Sequence, residues 1–128
     1  MTSHSHPTGL TLEAPSTLSV EQTERGFIFS PSDNATVRSP TQIIVELRQG
    51  ALPAGSWPER HRRQGRTARY RIDIEDGGSG GEQHVLRAWE ESANGYFWLE
   101  QAIQVEAPGV ADFGTAWRIL ESASVKTN

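Results

Sequence analysis

Six residues able to do chemistry crowd into a twelve-residue stretch: Trp89, Glu90, Glu91, Tyr96, Trp98 and Glu100. Paired carboxylates are what acid–base hydrolysis requires. Glu90 and Glu91, however, are neighbours in an alternating segment, so their side chains leave a strand on opposite faces and cannot meet on one substrate. No spacing suggests a Ser-His-Asp arrangement. The chain has no cysteine, which excludes a thiolate nucleophile and Cys-built zinc sites. His4 and His6 lie near the N-terminus and His61 and His84 are far apart, without ligand spacing, so neither metal nor cofactor is expected. Aromatic rings beside a few acids suit a protein interface better, because Trp and Tyr bury much area at small rotamer cost while carboxylates orient the partner. The same rings also suit a covered core, and the sequence leaves both readings open.

Two further segments carry charge or flexibility. Asp76-Gly77-Gly78-Ser79-Gly80-Gly81-Glu82 is glycine-rich but lacks the Lys-Ser/Thr of a phosphate loop and opens no helix, so it reads as a hairpin tip, with an acidic finger entering a partner's cleft as the sharper alternative. From Glu59 to Arg71 six arginines stand against one acid, while the rest of the chain holds fifteen acids against six basic residues and the net charge is −4. An acidic body repels a polyanion and Tyr70 alone could stack a base within the strip, so no nucleic-acid partner is expected and the arginines read as a solvated face.

The elements that must position these groups follow from periodicity. At 128 residues with 35% hydrophobic content, one domain over 10–128 is expected, after a flexible tail over 1–9. Leu10–Ala14 and Leu18–Glu21 alternate like half-buried strands, and Thr23–Gly26 turns the chain into Phe27-Ile28-Phe29. In Gln42–Arg48, residues Ile43, Val45 and Leu47 share one face. The stretch 50–65, with Pro53, Gly55 and Pro58, excludes a central strand. Thr67–Asp76, Gln83–Glu91 and Tyr96–Glu106 form a meander, its last reversal assigned to an Asn94-Gly95 turn that places Ala93 opposite Tyr96, Glu91 opposite Trp98 and Trp89 opposite Glu100. Val110, Phe113, Trp117 and Leu120 recur at helical spacing, with Asp112 expected in the first turn. The fold class is therefore α+β: an antiparallel sheet, meander plus N-terminal hairpin, packed with a C-terminal amphipathic helix. No 18-residue apolar run is present.

Three segments carry a family resemblance: Thr23-Glu24-Arg25-Gly26-Phe27-Ile28-Phe29, Glu75-Asp76-Gly77-Gly78-Ser79-Gly80-Gly81-Glu82 and Ala116-Trp117-Arg118-Ile119-Leu120-Glu121-Ser122. From Leu10 to Val125 the chain resembles immunity proteins of the bacterial type VI secretion system that act against peptidoglycan-cleaving muramidase effectors. The order of elements also looks like the PsbP-like α+β fold, which serves unrelated purposes. The resemblance implies a non-enzymatic periplasmic protein, tethered through a lipidated cysteine, that blocks the substrate cleft of its effector. Thr2 to Gly9 has the composition of the polar spacer that follows such an anchor. Some such muramidases carry calcium, which would be the effector's contribution. The expected contact residues are Trp89, Glu91, Tyr96, Trp98 and Glu100, with the loop residues Asp76, Gly78, Ser79, Gly80 and Glu82. The rival readings are a PsbP-like accessory or chaperone subunit of a larger assembly and a carbohydrate-active enzyme using Glu90 or Glu100.

Overall fold

The computed structural model describes residues 1–31, 41–76, 81–93, 95–106 and 111–126. Among them, ten strands and one helix follow in the order β1 (Thr2–Ser5), β2 (Leu10–Ala14), β3 (Leu18–Gln22), β4 (Gly26–Pro31), β5 (Ile43–Arg48), β6 (Glu59–Arg63), β7 (Arg66–Asp76), β8 (Gly81–Ser92), β9 (Gly95–Glu106), α1 (Gly114–Ser122) and β10 (Ser124–Val125). Seven strands form one sheet in the order β3-β4-β5-β9-β8-β7-β6, and β1-β2-β10 form a small second sheet. All the pairings are antiparallel. The α+β class holds.

Alternation explains which face meets the core. Ile43, Val45 and Leu47 of β5 are buried while Ile44, Glu46 and Arg48 are only partly so, as period-two patterning requires of a sheet with one packed face. Those residues join Phe27, Phe29, Leu86, Ala88, Phe97 and Leu99 against Leu10 and Leu12 of β2 and Ala116, Ile119 and Leu120 of α1. Fully burying a Leu or Ile contributes about 1.5–3 kcal/mol, so this inner face dominates the packing.

Four expectations differ from the structure. The first residues do not trail: β1 pairs with β2 from Thr2↔Ala14 to Ser5↔Thr11. His6 behind it is buried, with its Nε2 2.7 Å from the Thr23 carbonyl, and it packs edge-on against Phe27. A polar composition does not reveal a strand held by its neighbour's hydrogen bonds and one anchored imidazole. β3 is an edge strand whose residues after Leu18 are all exposed, so its alternation does not signal burial. α1 begins at Gly114, later than the apolar spacing suggests; Asp112 lies before it and accepts the Gly114 N–H at 2.8 Å, serving an orphan donor of the first turn from outside. Val110 and Gly78 to Gly80 lie outside the described residues. The irregular stretch after Gly50 is shorter than expected, because β6 adds an edge strand from Glu59.

Candidate protein-recognition site

The outer face of the large sheet is built around the β8–β9 hairpin. Its register runs Ser92↔Gly95, Glu91↔Tyr96, Trp89↔Trp98 and Arg87↔Glu100, two residues from the register that an Asn94-Gly95 turn gives. Gly95 is the cause. It opens β9 with φ +128°, and a Cβ there would stand 2.1 Å from the Arg48 carbonyl oxygen, so its bare backbone serves the close approach of β5 and not the turn. A two-residue slip keeps every side chain on its face, whereas a one-residue slip exchanges the faces. Trp89, Glu91, Tyr96, Trp98 and Glu100 therefore share a face as expected, but with new partners: Trp89 meets Trp98, and Arg87 meets Glu100.

The rings of that face are not open. Trp89, Tyr96 and Trp98 are only 7–8% exposed, and the cover is the segment between β5 and β6, not the C-terminal helix. Trp57 stands edge-on to both Trp89 and Trp98, at ring separations of 6.4 and 6.0 Å, and its indole N–H donates to the Ala54 carbonyl at 3.1 Å. Arginines complete the layer: Arg48 lies 4.4 Å over Trp98, Arg71 4.6 Å over Trp57 and Arg69 5.7 Å from the Trp89 ring. Such cation–ring contacts fix the guanidinium planes as well as the indoles. Sequence reasoning missed Trp57 and Arg48. The available signal was a lone Trp in a Pro- and Gly-rich stretch, since a large ring in an irregular segment needs a surface to cover.

The carboxylates divide. Glu100 accepts the Trp98 indole N–H at 3.1 Å and lies 3.8 Å from Arg87; Glu46 is paired with Arg48 at 2.7 Å. Glu90 points to the inner face and takes the Arg66 Nε at 2.6 Å. Glu91 is exposed. Glu82, at the other end of β8, is 43% exposed with its Oε1 3.4 Å from His84 Nε2, and Asp76 is its cross-strand partner. Eight residues of strand separate Gly81 from Trp89, about 26 Å at ~3.3 Å per residue. The expected contact residues thus form two groups at opposite ends of one long hairpin. Among the described residues, no three His, Asp or Glu side chains gather to hold a metal ion, and no helix is long and apolar enough to cross a membrane.

The chain matches the Tsi3 family, the type six secretion immunity 3 domain, over residues 11–124. The chain belongs to that family. It is also 32% identical over 122 residues to the Immune protein Tsi3 of Pseudomonas aeruginosa strain PAO1, an alignment that covers 94% of this chain and 80% of that protein. The chain is accordingly a type VI secretion immunity protein, whose task is to bind a cognate effector.

Proposed function

We propose that the chain protects by occlusion: held in the periplasm by a lipid anchor, it binds a cognate peptidoglycan-cleaving muramidase and fills the cleft that admits the glycan strand. One observation carries this reading. The outer face is a preorganised surface, its rings locked by Trp57 and its charges set at the rim, while β7 and β8 carry an acidic end beyond the second layer. Preorganised charged surfaces favour tight, oriented association because little freedom is lost on binding. The engagement of Glu90 by Arg66 and of Glu100 by Trp98 and Arg87 supports a structural role for both carboxylates and a non-catalytic chain. Calcium, where the muramidase carries it, belongs to the effector's side. Trp89, Tyr96 and Trp98 act from beneath as the frame, and Glu91 and Glu82 make the contact.

The test is release of soluble muropeptides by the purified effector, titrated with this protein. Stoichiometric loss of activity is expected, and undiminished release at excess protein would overturn the reading. Replacing Glu91 and Glu82 together by Lys is expected to weaken binding about tenfold or more, equivalent to about 1.4 kcal/mol, with an unchanged circular dichroism spectrum. A signal-directed version is expected to rescue effector-intoxicated cells where a version confined to the cytoplasm does not.

A further inference from the structure

The arginine strip is not one solvated face, because the structure sorts its members by side of the sheet. His61, Arg63 and Arg66 face inward, where Glu90 and Glu121 neutralise the two arginines. Arg71 lies 3.2 Å from Asp73. Arg60, Arg62 and Arg69 face outward and are exposed, with no acid paired to any of them among the described residues. Arg60 is directly opposite Arg69 in the β6–β7 pair, a like-charge pairing that works against the hairpin. Arg60 is further held in place, its Nη1 donating to the Trp57 carbonyl at 2.7 Å. Like charges set opposite each other and left without an acid on a protein of net charge −4 are a local electrostatic cost, which the Arg69–Trp89 ring contact and the Arg60–Trp57 hydrogen bond offset only in part.

A cleft of about 430 Å³ opens beside them, walled by Pro53, Trp57, Thr67, Arg69, Trp89 and Glu91. The Trp89 ring walls the cleft while its indole N–H is buried, without an acceptor among the described residues. Arg69 and Thr67 line this cleft together with the Glu91 carboxylate, and the cationic edge continues outside it through the exposed Arg60 and Arg62.

We propose that this outward arginine cluster, Arg60, Arg62 and Arg69, binds an acidic, carboxylate-bearing segment of the effector, leaving Glu91 in the adjoining cleft to a basic group of the same partner. The proposal rests on the immunity reading for its partner but not for its chemistry. Guanidinium groups pair carboxylates in two-point geometry, and charge complementarity on an otherwise acidic protein selects an acidic segment locally and fixes the orientation of docking.

The probe is a fluorescein-labelled peptide of alternating Glu and Ser, read by anisotropy against a Lys/Ser peptide and a DNA duplex. The full chain is expected to bind the acidic peptide in preference to both, less so at high salt, where screening shortens the reach of each charge. The triple variant Arg60→Glu/Arg62→Glu/Arg69→Glu is expected to weaken that binding about tenfold or more, as three ion pairs lost together would do. The equally charged control Arg25→Glu/Arg118→Glu/Lys126→Glu, at exposed positions elsewhere, is expected to leave it unchanged. Arg62→Gln alone, at an exposed position of the β6 edge strand, is expected to lower peptide affinity while leaving the denaturant midpoint unchanged; loss of stability in step with binding would overturn the proposal. Equal loss in both triples, or tighter binding of the duplex than of the peptide, would also overturn it. If the effector binds the wild type and the first triple equally, the inference fails and the immunity reading stands; if it does not bind the wild type, the immunity reading fails and the peptide result decides the surface's chemistry.

Discussion

Gly95 shows how much one missing methyl group can decide. Its φ of +128° and the Arg48 carbonyl 2.1 Å from a notional Cβ make Gly95→Ala a test of close approach. Strained φ alone costs of order 1–3 kcal/mol, and the clash adds to it, so chemical denaturation is expected to show a loss of about 3 kcal/mol or more. Gly50→Ala is the matched control: φ is +99° but nothing lies within 4 Å of the added Cβ, so a loss of only about 1 kcal/mol is expected. Trp57 is the other decisive residue. Its two edge-on ring pairs are worth about 0.5–1.5 kcal/mol each, so Trp57→Ala is expected to cost about 1–3 kcal/mol. The same change is expected to make Trp89 and Trp98 accessible to acrylamide, which their burial in the wild type is expected to keep out. A quenching curve unaltered by the substitution would show that the cover lies elsewhere.

At the scale of elements, the β6–β7 hairpin acts as a clasp on α1. His61 stacks on Trp117 at 4.0 Å and 12° and sets its Nε2 2.7 Å from Glu121 Oε2. Arg66 joins Glu90 to the helix C-terminus, donating Nη1 to the Glu121 carbonyl at 2.7 Å, where a cation meets the negative end of the helix dipole. Hydrogen bonds to charged groups are worth about 1.5–3 kcal/mol, so Arg66→Ala is expected to lose about 2 kcal/mol and to speed amide exchange in α1 first. Arg66→Lys is expected to recover little, since one ammonium cannot span both acceptors. The sequence made β5, β7, β8 and β9 readable because alternation reports a sheet with one packed face, and the β3–β4 hairpin because its turn residues are local. It hid β1, whose strand state is imposed by β2, and the hairpin register, because Asn-Gly chemistry favours a turn that the approach of β5 overrides. The site was legible as a set of residues sharing a face. It was not legible as a covered layer, because the cover comes from an irregular segment whose path no period records.

At the scale of the molecule, charge is laid out along the long hairpin. Asp73, Glu75 and Glu82 gather toward the Gly81 end, and Arg60, Arg62 and Arg69 stand by the opposite one, so the protein presents a polarity that a partner can read before contact. Association with the effector is therefore expected to slow as salt rises while dissociation changes less; stopped-flow measurement of both rates checks it. The small sheet has a different consequence. β10 pairs with β2 through Ser124↔Thr11 and Val125↔Leu10, a contact with a sequence separation of 113 residues, and the Lys126 N–H reaches the Gly9 carbonyl at 2.7 Å. Contacts of such separation form slowly because the whole intervening chain must be ordered first. Any cleavage before Ser124 therefore removes the strand that closes the small sheet, together with the bond that ties Lys126 to Gly9.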